Sequence, residues 1–122
     1  MRKTVLVADD EANLLNLLKD NLEDAGYNVL AAADGEEALK QWVVNKPEAI
    51  VLDIEMPKMN GWMVLEEIRK ITRNPDSPVI VILSAYVQPG DIKRGLALGA
   101  NRYITKPFKV GELLAALKEL LK

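Results

Sequence analysis

Four short apolar runs and a fifth, mixed stretch near the end alternate along the chain with five stretches whose apolar residues recur at helical spacing. Thr4 to Ala8, Tyr27 to Ala33, Ala49 to Leu52, Val79 to Leu83 and Arg102 to Thr105 read as strands. The third and fourth have the unbroken apolar character of strands buried on both faces. Between them, Leu14, Leu15, Leu18 and Leu22 mark a first helix that stops at Ala25-Gly26. Asp34 stands as N-cap of a second, with Glu37 three residues on as in a capping box. Ala38, Leu39, Trp42 and Val43 supply its buried stripe, and Asn45-Lys46-Pro47 ends it. Trp62, Leu65, Ile68 and Ile71 mark the third helix, after the turn signal Asn60-Gly61. The fourth begins at Pro89, is capped by Gly99 and carries Gly95 in its interior, a cost of about 1 kcal/mol against Ala. Val110, Leu113, Leu114, Leu117 and Leu120 form the fifth.

Strand–helix alternation of this kind predicts an α/β fold, a parallel sheet with helices on both faces. Right-handed crossovers with a reversal after the second unit give a flavodoxin-like, doubly wound, five-stranded sheet of order 2-1-3-4-5. The pattern shows no repeat, linker or low-complexity segment, so residues 1–122 are expected to form one domain. Ligands of such sheets bind beyond the carboxyl ends of the strands, at the switch point between the first and third. That is where Asp9, Asp10 and Asp53 converge. Ser84, at the end of the fourth strand, and Lys106, after the fifth, approach from the other side.

Composition narrows the chemistry. The 122 residues are 49% hydrophobic and 28% charged, and the net charge of −2 carries no basic field for nucleic acid. The longest apolar run falls far short of a membrane span, and no signal-peptide core follows Met1-Arg2-Lys3, so a cytoplasmic protein with no membrane contact is expected. The chain holds neither Cys nor His. Disulfides, thiolate nucleophiles, histidine triads and histidine-ligated metals are thereby excluded, and a hard, oxygen-preferring cation such as Mg²⁺ is favoured over zinc. Three carboxylates in one cleft cannot all ionise cheaply without a cation. A metal and the Lys106 ammonium together make a site for a doubly charged anion, with the Ser84 hydroxyl as a further donor. These are the parts that phosphoryl transfer needs, and a carboxylate nucleophile would become an aspartyl phosphate.

The motifs VADDE at 7–11, ADGEEAL at 33–39, DIEMPKMNG at 53–61, LSA at 83–85 and GANRYITKPF at 99–108 resemble, in register and across the whole chain, the receiver domain of two-component response regulators. The resemblance implies Asp53 as phosphoacceptor and Asp10 as a direct Mg²⁺ ligand. It implies Asp9 as a ligand through water and Glu55 as the donor of a backbone carbonyl. It gives Lys106 to the phosphoryl oxygens and makes Ser84 and Tyr103 a switch pair, with Tyr103 turning into space that Ser84 vacates. Pro107 is expected to follow a cis peptide bond. The side chains of Glu55 and Tyr86 are implied to tune the lifetime of the phosphoryl group.

The expected function is a phosphorylation-dependent switch. A sensor histidine kinase or phosphotransfer protein donates to Asp53, since this chain has no histidine of its own, and small acyl phosphates can substitute. The face built from the fourth helix, fifth strand and fifth helix then controls a downstream protein target or an output domain beyond Lys122, and a homodimer through that face stays open. Two rivals remain. An aspartate-nucleophile phosphatase would place a second Asp where Glu55 stands, and a binding module that has lost phosphorylation would not need the full set of Asp9, Asp10, Asp53, Ser84 and Lys106. Trp42 reads as core, Trp62 as a neighbour of the acidic pocket without a chemical role, and Met56, Met59 and Met63 as packing.

Overall fold

A computed structural model describes residues 2–74 and 76–121. The strands are β1 (Thr4–Ala8), β2 (Asn28–Ala32), β3 (Ala49–Asp53), β4 (Val79–Ser84) and β5 (Arg102–Thr105). They alternate with α1 (Ala12–Asp24), α2 (Gly35–Asn45), α3 (Gly61–Thr72), α4 (Pro89–Ala97) and α5 (Val110–Leu120). All pairings are parallel and the order is β2-β1-β3-β4-β5, as the crossover argument requires.

Every residue of β3 and β4 is buried. The two faces of the sheet divide the core. Leu6, Ile50, Leu52, Ile80 and Ile82 pack with Trp42, Trp62, Leu65 and Ile68 of α2 and α3. Val5, Val7, Val51, Val81 and Leu83 pack with Leu18, Leu22, Leu113 and Leu117 of α1 and α5. Alternate side chains of each central strand thus serve opposite layers, which is why these strands read as unbroken apolar runs.

The helix ends follow the local sequence with some differences. The Asp34 carboxylate accepts the Glu37 N–H at 2.8 Å, but the Glu37 side chain accepts from Gln41 at 3.3 Å, so the capping box is only half made. Asn60 caps α3 by accepting the Met63 N–H at 3.0 Å. Gly99, at φ +110, follows the end of α4, and its amide donates to the Leu96 carbonyl. β2 starts one residue later than expected, because the Tyr27 amide is drawn to the Leu22 carbonyl at the end of α1, and it ends one residue earlier, at Ala32. Val43 is 49% exposed and not part of a buried stripe, and Ile71 is 57% exposed. Gly95 is buried where α4 meets the sheet: a Cβ there would lie 2.9 Å from Ile82 Cδ1 and 3.0 Å from Tyr103 Cδ2. Close approach is a packing reason for a glycine inside this helix.

Candidate functional site

The parallel register sets four strand ends on one rim. Ala8 pairs with Leu52, Asp53 with Leu83, and Ser84 with Thr105, so residues 9, 53, 84 and 106 leave the sheet at neighbouring points. Asp9, Asp10 and Asp53 each present a carboxylate oxygen within 4.8 Å of the others. Asp9 and Asp53 are 1% and 6% exposed, whereas Asp10 is open to solvent. Lys106 reaches between them: its ammonium lies 3.2 Å from Asp9 Oδ2 and 3.4 Å from Asp53 Oδ2. The remaining Asp9 oxygen accepts the Glu11 N–H at 2.9 Å, and Asp53 Oδ1 accepts the Glu55 N–H at 3.4 Å. These bonds aim the carboxylates into a cleft of about 230 Å³ lined by Asp9, Asp10, Glu11, Asp53, Glu55, Ala85 and Lys106.

Burial pushes the Asp53 carboxyl up to about 6, the negative charge of Asp9 pushes in the same direction, and Lys106 offsets only part of both. Burial alone would favour a neutral Lys106 amine, but the Asp53 and Asp9 carboxylates outweigh it and hold the pKa above the ordinary lysine value. One lysine therefore leaves the cluster short of positive charge. The donor set fits a divalent hard cation: carboxylate oxygens at coordinating separation, no sulfur or imidazole, and room for retained water.

The Ser84 side chain is buried, and its Oγ accepts the Tyr86 N–H at 3.0 Å. Ala85, not Ser84, lines the cleft. Tyr103, half-buried on β5, donates its hydroxyl to the Tyr86 carbonyl at 2.7 Å. Burial raises its phenol pKa, offset in part by the Ser84 hydroxyl. The Lys106-Pro107 bond is cis, and the Lys106 amide donates to the Ser84 carbonyl at 2.8 Å, tying the lysine to the end of β4.

Trp62 and Tyr86 line a groove of about 480 Å³ that adjoins the cleft and shares Asp10 and Glu55 with it, in accord with the place the sequence gives them. Other neighbours of the site carry no sequence signal of that place: Glu11 lines the cleft, and Met56, Pro57 and Asn60 line the groove. Arg94 of α4 lies over the Trp62 ring, 4.4 Å from its centroid. Gly61 packs directly on the Asp53 backbone carbonyl, and its amide donates to the Ile54 carbonyl at 2.8 Å, so the start of α3 fixes the turn after Asp53. The Asn60-Gly61 dipeptide was the only signal for this contact.

The model of the response regulator receiver domain matches residues 5–118. The chain is 43% identical over 122 residues, all of its length, to the alkaline phosphatase synthesis transcriptional regulatory protein PhoP of Bacillus subtilis, of which it covers 50%. It is also 43% identical over 118 residues, 97% of its length, to the transcriptional regulatory protein PrrA of Mycobacterium tuberculosis, covering 49% of that protein. The chain spans about half the length of these curated relatives. Among solved structures, the receiver domain of Francisella response regulator 1452 aligns with a TM-score of 0.92 at 34% identity, over 98% of this chain and 96% of that one. The chemotaxis response regulator CheY4 of Vibrio cholerae aligns with a TM-score of 0.89 at 31% identity, over 98% and 99%.

Proposed function

This chain belongs to the family of response regulator receiver domains, whose general function is a phosphorylation switch, and we propose that Asp53 is its phosphoacceptor. The observation that carries this reading is the position of Lys106, whose ammonium lies within 3.4 Å of oxygens on both Asp9 and Asp53 at the mouth of the acidic cleft. Asp10, Asp53 and the Glu55 backbone carbonyl would hold Mg²⁺, with Asp9 bound through water. When bound, the ion supplies charge neutralisation for the phosphoryl oxygens.

The chain's own groups do the rest. An Asp53 carboxylate oxygen attacks the phosphorus of a phosphohistidine on a sensor kinase or phosphotransfer protein. The P–N bond breaks, and its electron pair leaves with the imidazole, which takes a proton from solvent. Small acyl phosphates serve as alternative donors, with a P–O bond breaking instead. Lys106 is released from Asp53 Oδ2 to pair with a phosphoryl oxygen, and the Ser84 hydroxyl turns from the Tyr86 amide to donate to another. In lining the approach to Asp53, the cleft assists both gain and loss of the phosphoryl group, and Glu55 and Tyr86 at its rim tune the lifetime.

With the Tyr86 amide released, the backbone that holds the Tyr103 hydroxyl loses its restraint, and Tyr103 turns inward. This change reshapes the face of α4, β5 and α5, which addresses a downstream target or an output domain, or pairs with a second copy. A cytoplasmic location accords with the absence, among the described residues, of any helix long and apolar enough to cross a membrane. The test is incubation with acetyl phosphate, with and without Mg²⁺, followed by intact mass. The parent should gain one phosphoryl group only with Mg²⁺, and Asp53→Asn should gain none. Equal labelling of the variant would place the acceptor elsewhere.

A further inference from the structure

The loop between β3 and α3 carries Glu55, yet the bond from the Glu55 amide to Asp53 is long, at 3.4 Å, and the Glu55 side chain is exposed. The far part of this loop is held by its own turn, in which the Met59 amide donates to the Pro57 carbonyl at 2.8 Å, and by the first turn of α2. The Gly35 amide points at the Pro57 carbonyl at 3.5 Å, and the Lys58 ammonium lies 3.6 Å from Asp34 Oδ2. Gly35 is buried so tightly against the loop that a Cβ would overlap the Met59 carbonyl oxygen and carbon. Lys58 itself stands at φ +69, in the left-handed region that a non-glycine residue keeps only where its surroundings impose it. The base of the loop is pinned separately, through Gly61 on Ile54 and Asp53.

We propose that Asp34, Gly35 and Lys58 are positioning residues for the cation site: the α2 turn clamps the tip of the β3–α3 loop and so sets where the Glu55 carbonyl stands relative to Asp53. None of the three lines the cleft, so they act only through the loop. Cation affinity depends on how firmly such supporting contacts orient the ligands. This inference rests on the reading that the Glu55 carbonyl faces the cation.

The experiment uses the intact chain and titrates MgCl₂ against Trp fluorescence and calorimetry, with labelling by acetyl phosphate as a separate readout. Gly35→Ala should bind Mg²⁺ about tenfold more weakly than the parent. Lys58→Met, which removes the exposed ion pair but keeps the length of the side chain, should bind about threefold more weakly. Lys58→Arg keeps the charge and should keep parental affinity. At saturating Mg²⁺ both weakened variants should label at the parental rate, a split that general unfolding would not produce. Parental affinity in Gly35→Ala and Lys58→Met overturns the clamp, as does a labelling defect that saturating Mg²⁺ leaves unchanged. Should Gly35→Ala fail to fold, Lys58→Met against Lys58→Arg decides. A parent that binds no Mg²⁺ overturns the functional reading and the clamp with it, whereas a parent that binds beside variants that match it overturns the clamp alone.

Discussion

The Ser84 hydroxyl accepts the backbone N–H of Tyr86 at 3.0 Å, and through this bond the end of β4 is joined to the residue whose carbonyl holds Tyr103. The Ser84 side chain does not line the acidic cleft, so to donate to a phosphoryl oxygen its hydroxyl has to turn toward Asp53 and away from the Tyr86 amide. The two states of the switch therefore compete for one side chain.

Ser84→Ala should separate phosphorylation from its consequence. Asp53, Lys106 and the acidic cleft stay in place, so labelling by acetyl phosphate proceeds. Loss of the acceptor for the Tyr86 amide should cost about 1 kcal/mol of stability. Tyr103 should give the same NMR ring signals before and after labelling, while the parent shows a shift. A full shift in the variant would remove Ser84 from the switch.

The raised Asp53 pKa carries a definite sign. Its folded value of about 6 lies above the ordinary 3.8, so the folded, metal-free chain binds the proton more tightly than the unfolded chain does. Asp53 is therefore a liability above pH 6, and that liability fades as pH falls from about 6 toward 4. In EDTA, Asp53→Asn should be more stable than the parent at pH 7.5 by about 1–2 kcal/mol, with the difference vanishing near pH 4. Thermal melts across that range check it. A gain that is constant with pH would assign the effect to packing.

Lys106→Met sets affinity against rate. The ammonium lies 3.2 and 3.4 Å from oxygens on two of the three carboxylates that could hold a cation. Removing it leaves more negative charge in the cleft, so Mg²⁺ should bind at least as tightly as in the parent. Labelling should nevertheless slow by about a hundredfold, because a donor aimed at the phosphoryl oxygens is gone. Calorimetry and a labelling time course separate the two quantities. A parallel fall in both would mean that Lys106 only maintains the shape of the cleft.

Much of this was legible from strand ends alone. Asp9, Asp10, Asp53 and Ser84 each follow an apolar run and Lys106 follows the short stretch Arg102 to Thr105, and parallel register with right-handed crossovers brings such positions together. What periodicity does not carry is which flank of a helix meets a neighbour. Val43 and Ile71 fit an apolar repeat but lie outside the contact. Arg69 sits in the charged part of α3, yet its guanidinium is drawn inward to the Gly99 carbonyl, the Asn74 carbonyl and the Asn101 side chain, fixing the turn between α4 and β5. Those partners lie 5 to 32 residues away, and only the folded chain joins them. The Ser77-Pro78 bond is cis as well, and nothing in the local sequence marked it.

Gly95 of α4 and Gly111 of α5 share a residue type but not a physical role. A methyl group at Gly111, in the first turn of α5, would meet no atom within 4 Å. Gly111→Ala should therefore stabilise the fold by about 0.5 kcal/mol, by restricting the unfolded chain. The same change at Gly95 gains up to about 1 kcal/mol in helix propensity. It also drives a methyl to 2.9 Å from Ile82 Cδ1 and 3.0 Å from the Tyr103 ring. Overpacking of that kind costs about 1–3 kcal/mol, so the net effect of Gly95→Ala should be destabilising. Relief is available on one side only. Ile82 is fully buried in the central sheet, whereas Tyr103 is half-buried on the edge strand and can swing outward. Gly95→Ala should thus displace the Tyr103 ring, weaken its bond to the Tyr86 carbonyl and bias the switch before any phosphoryl group arrives. Denaturant melts and the Tyr103 ring signals check both parts, and a Gly95→Ala chain as stable as Gly111→Ala, with an unmoved ring, would show that α4 can retreat from the sheet without consequence.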